Sequence, residues 1–163
     1  QWLNQDIRDL DGISEMDAII SYCDVINYVT RLEDVERVFN HVWQSLRVGG
    51  LFLFDVHALT YVEQHLINHS FSDVLDDMAY IWDCFPGDVE GEMYHEITFF
   101  SKTIDGTYQR FDEQHHQRTY SIQTYYDLLT KIGFKNIHFY GDFNRIIDFS
   151  TKNVERIFFI GQK

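Results

Sequence analysis

Leu46-Arg47-Val48-Gly49-Gly50-Leu51-Phe52-Leu53-Phe54-Asp55-Val56, followed by His57, is the stretch whose reading decides the fold. Gly49 stands where a helix needs a left-handed residue just past its end. The run from Leu51 to Val56 is apolar on both faces, as a central strand covered by helices should be. Asp55 and His57 then fall at the carboxyl end of that strand, where open α/β sheets bind their ligands. The stretch outlines half of a nucleotide-type binding fold, with the other half missing from the chain.

Working upstream, Met16 to Cys23 reads as a short buried strand ending at Asp24. Thr30 and Glu33 have the spacing of a capping box, with Thr30 as N-cap. Val35, Val38, Phe39, Val42 and Leu46 follow at helical spacing, so that Gly49 closes the helix. Residues 17–56 therefore predict a strand–helix–strand unit with a right-handed crossover.

Downstream, a moderately periodic helix is expected near 58–69, and from Met78 the pattern turns to strands. Met93 to Ile104 and Thr107 to Arg118 flank Asp105-Gly106, a two-residue hairpin signal of the I′ type. Counting outward sets Phe100 opposite Phe111, Thr98 opposite Glu113 and Glu96 opposite His115 on one face. Tyr80 and Trp82 predict a third strand beside them, and the whole insert reads as a lid or cap. Ser121 then caps a helix carrying Tyr125, Leu128, Leu129 and Ile132, closed by Gly133. Phe134 to Tyr140 and Arg156 to Ile160 predict two final strands, joined by a polar loop from Asn144 to Asn153. The division expected is 1–70 as partial core, 71–119 as antiparallel insert and 120–163 as the remainder of the core.

Composition bounds the function. The 163 residues suit one domain with at most a small appendage, and 45% hydrophobic with 17% aromatic residues supply a real core. A formal charge of −13, with no Lys/Arg cluster, argues against nucleic acid, whose phosphates require a basic face. Two cysteines, Cys23 and Cys84, make no disulfide framework, so a cytoplasmic location is expected. No signal peptide is expected, and no apolar run approaches the roughly 20 residues of a membrane span. The start at Gln1 rather than Met leads us to expect an excised piece of a longer protein.

The order of the pieces resembles the C-terminal half of a class I S-adenosylmethionine-dependent methyltransferase, of a small bacterial subfamily with an antiparallel insert. Gln5-Asp6-Ile7-Arg8-Asp9-Leu10 is similar to the loop before the family's fourth strand, and Asp17 to Asp24 to that strand with its end motif. Asn27-Tyr28 stands where the family often has an Asn-aromatic pair, Leu46 to Asp55 resembles the approach to the fifth strand, and Leu128 to Phe134 the last helix before the closing hairpin. The resemblance covers nearly the whole chain and implies an α/β, Rossmann-like half-sheet with an inserted antiparallel β cap. It departs in one respect: no Gly-x-Gly-x-x-Gly-like run occurs, so the loop that cradles the methionine end of S-adenosylmethionine and the acid that holds its ribose are expected upstream of Gln1.

The same resemblance assigns candidate residues. Asp6 matches the acid that accepts from the adenine amino group and the Ile7 amide the donor to a ring nitrogen, although Asp6 also reads as a solvated loop acid. Tyr22, Cys23 and Asp24 lie next to the expected sulfonium. Cys23 reads more readily as a small packed side chain than as a nucleophile, and Asp24 equally as a ligand contact or as the cap of the next turn. Asn27, Tyr28, Asp55 and His57 lie beside the acceptor. His57 can take a proton from it, since its unperturbed pKa is near neutral; otherwise Asp55 is a helix cap and His57 a surface residue. No metal site is expected, because His115 and His116 point to opposite faces of a strand. Tyr94, Phe100 and Phe111 are candidates for a pocket on the cap. Two functions follow: methyl transfer from S-adenosylmethionine to a small-molecule or protein nucleophile, or a non-catalytic interaction module. In either case the fragment is expected to form a homodimer through the edge of strand 16–23.

Overall fold

The computed structural model describes residues 2–143, 145–151 and 153–163; of the expected polar loop, Asn144 and Lys152 lie outside the described residues. Two sheets organise the chain. The first has the order β1-β2-β9-β7-β8, with β1 Met16–Ser21, β2 Leu46–His57, β7 Lys135–Gly141, β8 Arg145–Ile146 and β9 Arg156–Gln162. β1 and β2 run parallel, joined by α1 (Leu32–Ser45), and β9 returns antiparallel between β2 and β7. The second sheet has the order β3-β4-β5-β6: β3 His69–Val74, β4 Met78–Pro86, β5 Glu92–Lys102 and β6 Tyr108–Arg118, all antiparallel.

The core is one aromatic stack. The α1 stripe Val35, Val38, Phe39 and Val42 is buried, and Phe39 packs on Phe52 and Phe54 of β2. Phe54 stacks on Phe159 of β9 at 4.9 Å, and both meet Tyr125 of α3 (Ile122–Ile132). Each such ring contributes about 1.5–3 kcal/mol by burial. Ser121 caps α3 through its side chain to the Thr124 amide, and Gly133 closes it at φ 114°, as expected. Both helices cover the same face of the sheet. The opposite face of β2 is less covered than the apolar run implied: Leu51 is 38% exposed.

A second, smaller core joins the sheets. Leu59–Tyr61 is the single turn α2, continuing as a wider π turn over Val62–Leu66; Val62, Leu66 and Ile67 pack on Cys84 of β4 and Met93 of β5.

Three local expectations are corrected. Thr30 does not cap α1: Arg31 is the N-cap without a side-chain bond, and the Thr30 carbonyl instead accepts from the Tyr120 hydroxyl at 2.7 Å. Gly49 does not end α1. The helix stops at Ser45, and the Lys163 ammonium satisfies the carbonyls of Trp43 and Leu46, each at 2.6 Å, as a cation at a helix C-terminus can. Gly49, at φ 81°, instead lies in an irregular stretch where the β1–β2 register shifts. Strand β1 is mostly exposed rather than buried, because it is the sheet's edge.

The cap hairpin is out of register by one residue. Phe111 faces Phe99, Asp112 faces Thr98 and His115 faces His95. The Thr103 amide donates to the Thr107 carbonyl and the Gly106 amide to the Thr103 carbonyl, while Gly106 has φ 82° and Asp105 is not left-handed. That is a three-residue loop with a glycine bulge, not a two-residue I′ turn, and a one-residue slip exchanges the faces. The aromatic pocket expected of Tyr94, Phe100 and Phe111 is therefore absent: Tyr94 stacks on His116 and Phe111 on Phe99.

Candidate functional site

The carboxyl ends of β1 and β2 converge on an ion-paired cluster. After β1 the chain turns through two left-handed residues, Cys23 and Asp24 (φ 63° and 51°). This turn brings the Asp24 amide within 3.3 Å of both Asp55 carboxylate oxygens. Asp55 is 1% exposed, a position tolerable for a carboxylate only when paired. Its partner is Arg156, which the β2–β9 register sets directly opposite His57. The same guanidinium nitrogen reaches Asp24 at 2.9 Å. Asp55 is thus neither a helix cap nor a free ligand contact.

The cap sheet reaches this cluster from the other side. Gln117 of β6, 3% exposed, donates to Asp24 at 2.8 Å, and its carbonyl oxygen lies 3.2 Å from His95 Nε2. Trp82 of β4 donates its indole N–H to His95 Nδ1 at 2.9 Å. Burial would raise the Asp24 pKa, but the Gln117 bond and Arg156 outweigh it and hold the carboxyl below its ordinary value.

His57 is not a surface residue. Its side chain is 12% exposed, and burial pushes its pKa down to about 4, only partly offset by Asp24. The ring is neutral at neutral pH; Nε2 lies 3.8 Å from Asp24, and Nδ1 has no hydrogen-bond partner among the described residues. Its backbone is fixed by Asn27, whose side chain accepts from the His57 amide at 3.0 Å and donates to the Arg118 carbonyl at 3.0 Å. Asn27 is fully buried, so it staples the two sheets rather than touching a substrate.

Asp24, Tyr28, His57, His95, Gln117 and Arg156 line one open cavity of about 430 Å³ between core and cap. The Tyr28 hydroxyl lies 2.9 Å from His115 on its rim. A second groove, about 260 Å³, runs along β1 and is walled by Ile7, Ile19, Ile20, Tyr22, Val25 and Phe52. Asp6 lines instead a separate, neighbouring pocket of about 410 Å³ that shares Ile7 and Val25 with this groove; Asp6 is exposed there, and the hydrogen bond from Arg8 holds its carboxyl down at about 2. Cys23 is exposed rather than packed. Among the described residues no cluster of three or more metal-ligating side chains occurs, and no helix is long and apolar enough to cross a membrane.

Four residues of the cluster escaped the sequence reading: Trp82, His95, Gln117 and Arg156. The right hairpin register would have found two of them, because residues 95, 115 and 117 share the inward face.

No protein-family model matches the chain. Two curated relatives, provisionally named methyltransferases, are each 34% identical: one from Geobacillus sp. (strain WCH70), over 164 residues and 100% of this chain, and YqeM of Bacillus subtilis (strain 168), over 163 residues and 99% of it. The chain spans 65% of the length of each. A crystal structure of an S-adenosylmethionine-dependent methyltransferase from Clostridium acetobutylicum ATCC 824 superposes with a TM-score of 0.87 at 28% identity, over 97% of this chain and 62% of that one. The chain shares the α/β fold of this S-adenosylmethionine-dependent methyltransferase. The methyltransferase CcbJ of Streptomyces caelestis shares the fold at a TM-score of 0.80 and 10% identity, over 97% of this chain and 65% of that one. In methyltransferase terms, β1, β2, β7 and β9 form the C-terminal half of a Rossmann-like sheet, and β3–β6 are the inserted cap.

Proposed function

We propose that the parent protein transfers a methyl group from S-adenosylmethionine to a nucleophile, a small molecule or a protein side chain, held in the cavity between core and cap. The observation that carries this reading is the placement of Asp24, Asp55 and His57 at the carboxyl ends of two parallel strands, beside an apolar groove along the same edge. The groove's wall is almost wholly aliphatic and aromatic, a lining suited to the faces of a planar base. Ile7 and Tyr22 would flank the base, Asp6 and the Ile7 amide would meet its polar edge, and Cys23 and Asp24 would lie towards the methionine end. The bound cofactor supplies an electrophilic methyl on a sulfonium; the protein's share is mainly to align nucleophile and methyl. Neutral His57 offers a ring nitrogen as acceptor for a proton leaving the nucleophile.

None of the 163 residues supplies a Gly-x-Gly-x-x-Gly loop, so we assign that loop to the portion of the relatives' length that this chain does not match. Calorimetric titration tests this: the full-length protein is expected to bind S-adenosylmethionine, and the 163-residue chain weakly or not at all. Micromolar binding by the chain alone would overturn the assignment.

One observation favours a second reading, as an assembly module. Edge strand β1 has Ile20 60% exposed and carries no Lys, Pro or Gly to blunt it, and such an edge is a template for strand pairing. Sedimentation of the chain beside an Ile20→Lys variant should show a dimer only for the unsubstituted sequence. Identical monomers would remove this reading.

A further inference from the structure

We propose that Gln117 and His95 are positioning residues, through which the cap sheet sets the orientation of Asp24 at the site end of β1. The proposal deepens the methyltransferase reading and rests on it.

The argument is one of hydrogen-bond direction. An indole N–H can only donate, so Trp82 at 2.9 Å makes His95 Nδ1 an acceptor. A neutral imidazole then carries its proton on Nε2, which faces the Gln117 carbonyl oxygen at 3.2 Å. Gln117 accepts with its oxygen and therefore presents its amide N–H to Asp24, at 2.8 Å. Every member has one permitted sense, and the chain of donors starts in the cap and ends on the core carboxylate. Asp24 receives Gln117 on one oxygen and Arg156 on the other, so both its rotation and its charge are set.

The relay is buried where it counts. Gln117 is 3% and His95 5% exposed, and a half-satisfied network at such burial costs more than an apolar one. A role in packing alone would be served as well by Leu or Met at 117. Burial keeps His95 neutral, its pKa lying below the ordinary value despite the Gln117 bond. The titratable and charged groups around Gln117 are Asp24, Asp55, His57, Glu155 and Arg156 from the core, with His95 and His115 from β5 and β6 and Tyr28 at the rim. The ion pairs nearest Gln117 are those of Arg156 with Asp24, which Gln117 itself bonds, and with Asp55.

Gln117→Glu gives a readout that packing cannot imitate. A neutral glutamic acid is isosteric with glutamine: its O–H can donate to Asp24 and its C=O accept from His95. A glutamate anion can do only the second and repels Asp24. Beside two carboxylates and out of water the new acid's pKa is raised. In the full-length protein, titrated calorimetrically with S-adenosylmethionine, the wild type is expected to hold its affinity between about pH 5.5 and about pH 8, whereas Gln117→Glu should bind about tenfold more weakly at the higher pH and recover at the lower. Gln117→Leu should be weakened at both, and Gln114→Leu, on an exposed position of the same strand, should match the wild type. ¹⁵N spectra of labelled histidines should report the Nε2–H tautomer for His95.

A Gln117→Glu variant as insensitive to pH as the wild type, or an Nδ1–H tautomer for His95, overturns the positioning role while leaving the methyltransferase reading intact. A wild type that does not bind S-adenosylmethionine overturns both. Should Gln117→Leu fail to fold, the pH response of Gln117→Glu decides alone.

Discussion

The two sheets differ in how firmly their sequence dictates their geometry. In the five-stranded sheet, β2 and β9 carry Phe52, Phe54, Ile157 and Phe159 in a sealed stack under α1 and α3. A one-residue slip there would exchange Phe54 for Asp55 at the core. In the cap sheet, the first seven residues of β6 are exposed on either face, so a slip costs little until His115 and Gln117, and the turn rather than the core sets the register. A buried face therefore specifies its own register, whereas a solvated sheet borrows it from a loop.

That difference predicts unequal responses to the same substitution. Phe54→Ala, in the full-length protein, should cost about 3–5 kcal/mol in denaturant unfolding. Phe111→Ala, at a ring 42% exposed and stacked only on Phe99, should cost about 1 kcal/mol. Equal losses would mean that the cap is as much a core as the parallel sheet, and the comparison would fail.

The joint between the sheets should titrate. His57 has its pKa lowered from 6.5 to about 4 by burial. Between these values the unfolded chain binds a proton that the folded one refuses, so the stability is fully present above about pH 6.5 and is lost as pH falls towards 4. The shift corresponds to about 3 kcal/mol. Replacing His57 by Asn should flatten the stability–pH curve in that window by about one proton. A curve of unchanged slope would place the titration elsewhere, with His95, whose pKa is also lowered, the next to substitute.

The same contrast explains what the sequence could tell. The strand–helix–strand unit, the α3 cap at Ser121 and the glycine at 133 were legible because propensity, pattern and burial agree there. Asp24 and His57 were legible because strand ends in an α/β sheet are where chemistry gathers, and Tyr28 through the Asn-aromatic pair of the resemblance; all three line one cavity. Arg156 could not be found: its role depends on β9 returning antiparallel beside β2, a pairing 101 residues apart. His95 and Gln117 were lost with the hairpin register. β3, with the polar sequence His-Ser-Phe-Ser-Asp-Val, lacks any apolar alternation and is a strand only because β4 offers it an edge. Gly49 failed because a distant partner, the Lys163 ammonium, takes up the helix-end carbonyls of Trp43 and Leu46, and Thr30 because α1 starts one residue later, after Arg31.

The smallest effect tests the loop that decides the cap. Gly106 holds φ 82° at the tip of the β5–β6 hairpin, with no atom within 4 Å of where a Cβ would sit, so Gly106→Ala meets no clash and pays only for backbone conformation. That cost is about 1 kcal/mol. It should appear as a local loss, in faster amide exchange at Thr103 and Thr107, whose backbone bond closes the loop, with α1 and β2 unaffected. Asp105 supports the loop from within, accepting from the Thr103 and Thr107 hydroxyls, so the register should survive the substitution and His95 should stay opposite His115. If instead the alanine variant loses the Trp82–His95 bond, read from the indole N–H resonance, the glycine bulge rather than the inward-facing residues holds the inner end of the cap in place, and the division between a self-specifying core and a loop-specified cap extends to the candidate site itself.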